Sequence, residues 1–328
     1  MKIVVFKTHE ISSGLWLNII NEFDKAFNVR KNVEEFINYY KHTVLGYSYH
    51  VIAFDEQNNL AGYNALYPAI YYDNIKEKNI LIGISGGTFV VKEYRKDIFI
   101  FSDMIKSLLE YACKEGIVAT LGVSNENSFK YALNFLESKL ISYLPYYALP
   151  VRIFNILNIR SLKFLNFISV FFIHVFLILN NVLSNLINSL EKKARFEIVT
   201  DENFYFNRFY NNKYRKVNFE DIFAYYSIVE EREIKTVYLF DFRENGKRSY
   251  KSLVKTVRYI LKVEKPDIIL FIGYLRLKQF ILIRVPWKIE PQHLPLTLNL
   301  TSFKHNLYLE SMLKKENWNF GLMNFDVR

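Results

Sequence analysis

Between Phe164 and Leu190 the chain runs for 27 residues without an Asp, Glu, Lys or Arg, and its densest part, FISVFFIHVFLIL from Phe167 to Leu179, is almost wholly apolar. Water does not tolerate such a run as a surface loop, so it must be an ordered element that meets a core, a partner or lipid. A bilayer is crossed by about 20 apolar residues, but Asn166, Ser169, His174, Asn180, Asn181, Asn185 and Asn188 interrupt this stretch. Arg152, Arg160, Lys163, Lys192, Lys193 and Arg195 flank it against a single acid, Glu191, a local charge of +5. Basic residues at both ends leave the positive-inside rule no direction to choose. An interfacial helix accounts for the pattern best, ahead of a buried inter-domain helix and a full span, and its natural surface is an anionic membrane face.

The rest of the 328-residue chain has room for two domains. With 51% hydrophobic and 23% charged residues and only 11 Gly and 7 Pro, disorder and collagen-like folds are excluded. The single Cys113 rules out an intrachain disulfide and a thiolate zinc cage, and no spacing of His, Asp, Glu and Cys suggests a metal site. Only four apolar residues precede Lys7, too few for a secretory core, so a cytoplasmic address is expected, peripheral on the inner face of the membrane if the apolar helix lies there. Charge is uneven: residues 1–150 carry 15 basic and 16 acidic side chains, residues 151–328 carry 28 and 17, or −1 against +11. Any anionic partner, whether phosphate, lipid headgroup or nucleic acid, is expected at the second half.

Residues 1–150 alternate between α and β. Strand Ile3–Phe6 is followed by helices over Leu15–Phe27 and Val33–Tyr40. Tyr49–Phe54 and Leu60–Tyr72 read as an antiparallel hairpin closed by Asp-Glu-Gln-Asn-Asn. Ile80–Val91 is a longer strand whose Gly83, Gly86 and Gly87 leave space for another backbone or a ligand. Met104, Ile105, Leu108, Leu109, Ala112 and Cys113 form the apolar face of a helix ended by Gly116. Then come strand Ile117–Val123, helix Ser128–Leu136 and a last strand region, Lys139–Leu149. The second half repeats this plan weakly, with strand Lys235–Phe242, a basic turn, helix Tyr250–Val263 and strand Asp267–Gly273.

Two segments carry a resemblance: Gly87-Thr-Phe-Val-Val-Lys-Glu-Tyr-Arg95, a strand and its exit, and Gly122-Val-Ser-Asn125-Glu-Asn-Ser128, a strand running into a helix. In this order they resemble the GNAT N-acetyltransferase superfamily. The stretch Arg208–Tyr214, the strand-turn-helix after Lys235 and the terminal Trp318–Arg328 are similar to the second lobe of tandem GNAT-like and Fem-type acyltransferases, many of which serve bacterial surface-glycan assembly. The implied fold is α/β (α+β): tandem GNAT-like lobes with mixed sheets at 1–150 and 196–328, joined by the apolar helical segment 151–195. The implied co-substrate is acetyl-CoA or another acyl-CoA, with no metal. Its pantetheine arm would lie along Phe89, Val90 and Val91, and its diphosphate would sit at Arg95 and Lys96, near Asn125 and Ser128, where a helix N-terminus favours phosphate.

The family's turn carries glycines after the arginine, whereas this one reads Arg95-Lys-Asp-Ile-Phe-Ile-Phe101. Arg243-Glu-Asn-Gly246-Lys-Arg248 keeps an arginine and a first glycine, and the next helix sets Lys251, Lys255, Arg258 and Lys262 on one face, so the second half offers a competing anion site. For the acid that protonates the leaving thiolate, the resemblance nominates a tyrosine near the sixth strand: Tyr143, Tyr146 or Tyr147. Asp326 is a candidate grip on an amine or sugar. The expected reaction is acyl transfer to an amine, with an amino sugar or related surface-polysaccharide precursor as acceptor. Alternatives are a Fem-like transferase that takes its aminoacyl group from tRNA, and a non-catalytic tandem-lobe binding protein.

Overall fold

The computed structural model describes residues 1–187, 189–219, 221–302 and 306–325. Strand β1 (Lys2–Lys7) leads into helices α1 (Ser13–Phe27) and α2 (Val33–Lys41), then a meander of β2 (Tyr49–Phe54), β3 (Leu60–Asp73) and β4 (Lys78–Val90). Helix α3 (Ile98–Lys114), β5 (Ile117–Val123), α4 (Glu126–Phe135), β6 (Lys139–Tyr143) and β7 (Tyr146–Pro150) complete the first half. The short α5 (Ile153–Ile156), the long α6 (Asn166–Ile187), β8 (Phe196–Ile198) and α7 (Glu202–Arg208) follow. A second meander of β9 (Tyr214–Phe219), β10 (Ile222–Glu231) and β11 (Ile234–Glu244) leads to α8 (Tyr250–Glu264) and β12 (Ile268–Ile272). The chain closes with β13 (Ile283–Arg284), β14 (Pro295–Leu300), α9 (Asn306–Met312) and β15 (Trp318–Asn319).

Two compact units result. The first comprises Met1–Tyr143, Arg195–Tyr210 and Leu294–Trp318; the second comprises Leu144–Ala194, Asn211–His293 and the residues from Asn319 onward. The first unit's mixed sheet has the order β1-β2-β3-β4-β5-β14-β6, with β8 on β3 and β15 on β8. The second sheet runs β13-β7-β12-β11-β10-β9. In each, an antiparallel meander feeds a helix and returns as a parallel strand: β4, α3 and β5 in one, β11, α8 and β12 in the other.

The two halves of the sequence exchange a strand. Strand β7 leaves the first half to pair with β12, Leu149 opposite Ile269. Strand β14, from the far end of the sequence, enters between β5 and β6, Leu298 opposite Leu121 and Pro295 opposite Tyr143. The expected single strand region 139–149 is therefore two strands in two sheets. The long apolar helix α6 packs within the second unit, where Leu177 joins the core built by α8.

Period-2 alternation explains the first unit's core. Tyr49, Val51 and Ala53 of β2 meet Met104, Leu108 and Ala112 of α3 on one face. Ile52 meets Trp16, Ile19 and Ile20 of α1 and Phe36 and Tyr40 of α2 on the other. His50 shares that second face, fully buried, between Thr8 Oγ1 at 2.9 Å from Nε2 and Tyr63 Oη at 2.9 Å from Nδ1. Burial depresses its imidazole to about 3, so the folded state holds it neutral.

Unfolded histidine titrates near 6.5, so below that pH the unfolded chain takes up a proton that the fold refuses. The His50 contribution is complete above about pH 6.5 and is lost as pH falls, at up to roughly 1.4 kcal/mol per pH unit. The variant His50→Gln is expected to flatten the acid limb of thermal midpoint against pH. A slope unchanged by the substitution would assign that limb to other groups.

Candidate functional site

Strands β4 and β5 pair in parallel only as far as Ser85 opposite Gly122. Beyond that point β4 continues through Gly86–Val90 with β3 alone beside it, leaving its other edge open. Alternation shows which atoms face the opening: Val91 N–H donates to Ala61 O on the β3 side, so the Val90 peptide groups turn the other way. A bulge opposite Asn64 helps the strand diverge. It sits at Gly87, whose φ of +69° suits glycine and where a Cβ would lie 2.7 Å from the Tyr40 hydroxyl.

The gap is a cavity of about 620 Å³. Gly86–Val90 form one wall and Gly122–Asn125 the other, with Phe101, Ile105 and Leu108 of α3 and Ser128, Tyr131 and Ala132 of α4 closing it. Several of the polar side chains that also line it are engaged: Asn64 Nδ2 donates to Ser85 Oγ at 3.2 Å, Thr297 Oγ1 to Gly122 O at 3.2 Å, and Ser138 Oγ to Asn299 Oδ1 at 2.9 Å.

At the β4 exit the charges oppose one another. Arg95 folds back so that its Nε donates to Val90 O at 3.0 Å, the carbonyl on the open edge. Asp97 is the N-cap of α3, its Oδ1 accepting from Phe99 N at 3.0 Å. A carboxylate thus occupies the helix end that the resemblance assigns to a diphosphate, and the N–H it satisfies is one a phosphate would use. Asn125 caps α4, accepting from Ser128 N at 2.9 Å and from Ser128 Oγ at 2.9 Å.

Tyr131 is the residue that sequence reasoning missed. Tyr131 lines the cavity, and its Oη is buried with no hydrogen-bond partner among the described residues. Its ring is held edge-on by Phe101 at 4.9 Å and stacked on Phe135 at 4.6 Å. Burial first, then the carboxylates of Asp97 and Asp103, raise its phenol above the ordinary tyrosine value, so it is protonated at neutral pH. The sequence signal was its spacing: Tyr131 lies one turn beyond Ser128, in line with the cap rather than with the apolar face.

Of the sequence candidates, the structure brings Phe89, Val90, Arg95, Asn125 and Ser128 to this cavity. Val91 is buried instead with α1 and α2, and Lys96 is exposed on the turn without lining the cavity. Tyr143 ends β6 with its ring edge-on to Phe129 at 5.9 Å and does not line the cavity either. Tyr146 and Tyr147 lie on β7 in the second unit, opposite Ile272 and Phe271. Asp326 lies outside the described residues.

The competing turn in the second unit is filled from within. Asp241 accepts from Arg243 Nε at 2.8 Å and from Arg248 Nε at 2.6 Å. Arg248 is buried, and its Nη2 also donates to Phe240 O at 3.3 Å on the edge of β11. Gly273 and Gly321 form a backbone bridge so close that a Cβ on Gly273 would sit 2.4 Å from Gly321 Cα. The basic half-motif is therefore an internal ion-pair network.

No family model and no curated sequence matches the chain. Solved structures match it in fold. A GCN5-related N-acetyltransferase from Anabaena variabilis aligns over 93% of this chain and 74% of its own, with a TM-score of 0.56 at 9% identity. One from Kribbella flavida covers 91% of this chain and 71% of its own, with 0.55 at 10% identity. Eis1 from Mycobacterium abscessus covers 95% of this chain and 75% of its own, with 0.52 at 9% identity. The chain has the fold of GCN5-related N-acetyltransferases, in tandem lobes with mixed sheets, as the two sequence segments implied.

Proposed function

We propose that this protein is an acyl-CoA-dependent N-acyltransferase whose acceptor is the amine of a small molecule. The observation that carries the reading is the open edge at Gly86–Val90 sharing one cavity with Tyr131, whose buried hydroxyl has no partner among the described residues. An unpaired strand edge offers N–H and C=O groups to the amides of a pantetheine arm, as an added strand would. The amine nitrogen attacks the thioester carbonyl, a C–N bond forms as the C–S bond breaks, and Tyr131 gives its proton to the departing thiolate. The proton released from the attacking nitrogen passes to water, and the phenol is reprotonated from solvent.

Among the side chains lining the cavity, the titratable ones are Arg95, Asp97 and Tyr131. Asp97 is occupied at the helix cap, so an acceptor that arrives already neutral suits this site. Amino sugars meet that requirement, because their electron-withdrawing ring oxygens lower the amine below alkylamine basicity. This supports an amino sugar, such as a surface-polysaccharide precursor, as the acceptor class.

The donor's diphosphate end gives the test. Arg95→Ala is expected to weaken acetyl-CoA binding by about tenfold, the size of one lost charge-assisted contact. Asp97→Asn, which keeps a capping oxygen while removing a negative charge, is expected to tighten it by roughly tenfold. Calorimetry reads both signs in one series. Tight acetyl-CoA binding without turnover on any amine would favour a non-catalytic binding protein.

A further inference from the structure

Helix α6 is built inside out. Three of its polar residues face inward: Ser169 Oγ donates to Val151 O at 2.8 Å, Asn180 Nδ2 to Phe176 O at 2.8 Å and Ser184 Oγ to Asn181 O at 2.9 Å, while Asn180 Oδ1 accepts from Tyr250 Oη. All three side chains are buried. The opposite stripe is apolar and open: Phe167, Phe171, Phe172, Leu179, Val182 and Leu186 are each 55% to 76% exposed. Their spacing keeps them on one side through five turns. Of the polar residues that interrupt the run, Ser169 and Asn180 are thus turned inward, while His174 and Asn185 are exposed at the border of the apolar strip. An exposed apolar strip of this extent marks an interaction surface.

Charge identifies the occupant. A groove of about 850 Å³ opens beside α6, with Ile173, Leu177 and Phe219 among its apolar lining and Arg258, Lys262 and Lys265 among its basic lining. These three cations make no salt bridge among the described residues, in contrast to Lys255, which pairs with Glu244 at 2.6 Å. Apolar floor, cationic rim and adjoining apolar helix match a phospholipid's chain, phosphate and bilayer. A second copy of this chain would bring the same cations against each other and is disfavoured.

We infer that the second unit docks on an anionic lipid surface, with the outer face of α6 in the interface and a lipid phosphate at Arg258, Lys262 and Lys265. The helix lies in the membrane plane rather than across it, because its inner face is already committed to the core of its own unit. The inference is independent of acyl transfer.

Flotation of the full chain with phosphatidylcholine vesicles, with and without phosphatidylglycerol, tests it. Binding is expected to need phosphatidylglycerol and to weaken in high salt, where the Debye length shortens. Each basic side chain at such a surface is worth about fivefold, so the triple variant R258E/K262E/K265E should lose on the order of 100-fold in partition. Those residues are exposed, and circular dichroism should show an intact fold. F171S/F172S should lose binding to the same vesicles without change of charge. Equal partition of the charge-reversed variant, equal binding to both lipid mixtures, a requirement for detergent at every salt concentration, or a stable dimer that does not float would each overturn the inference.

Discussion

Replacing Tyr131 with Phe is expected to lower kcat for acyl transfer by about 100-fold or more, the usual worth of a positioned general acid, while acetyl-CoA affinity stays within about twofold. The hydroxyl makes no hydrogen bond among the described residues, so its removal breaks none there. A buried hydroxyl without a partner carries a desolvation cost that Phe does not, and stability should hold or rise slightly. The ring contacts with Phe101 and Phe135 survive the change. Loss of rate without loss of fold or of donor binding separates chemistry from packing. The pH profile supplies a second readout: the acid must be protonated, so the wild-type rate falls as pH rises through the raised phenol value, and the variant should lack that limb. A variant with the parent's kcat would remove Tyr131 from the mechanism.

The sequence reading of α4 shows why this tyrosine was passed over. Helical periodicity selects the face that packs, and Phe129, Ala132, Leu133 and Leu136 fit that pattern. The residue that matters lies off that face, where periodicity carries no information, although Leu133 itself is 38% exposed. Strands β2 and β5 match their expected limits, Tyr49–Phe54 and Ile117–Val123, because alternation and flanking turn residues are local signals. Pairing is not local. Both β7 and β14 are five- or six-residue strands with apolar, buried residues, so either could sit beside β5 or β12 on pattern alone. Helix α6 shows the same limit: composition counted its asparagines and serines, but only the packing shows which side they face.

Replacing Asp241 with Ala is expected to cost about 3 to 5 kcal/mol, the price of stranding a buried partner charge. At about 2 to 4 °C per kcal/mol, the thermal midpoint should fall by roughly 10 °C. Asp241 is fully buried and receives Phe242 N at 2.9 Å as well as both arginines. Arg248 would keep the more distant Glu191, at 3.5 Å from Nη1, and the neutral Phe240 carbonyl, and is itself buried. Lys247 belongs to the same basic turn but is exposed, and Lys247→Ala should stay within about 0.5 kcal/mol. The contrast decides between two meanings of one motif. An anion-binding turn would tolerate both substitutions structurally and lose ligand with Lys247→Ala. An internal network would unfold with Asp241→Ala and leave acetyl-CoA affinity indifferent to Lys247. Because β4 diverges from β5 beside a cavity, with Arg95 on its Val90 carbonyl, while the turn after β11 is filled by the buried Asp241 and Arg248, the second outcome is expected, with the donor site in the first unit alone.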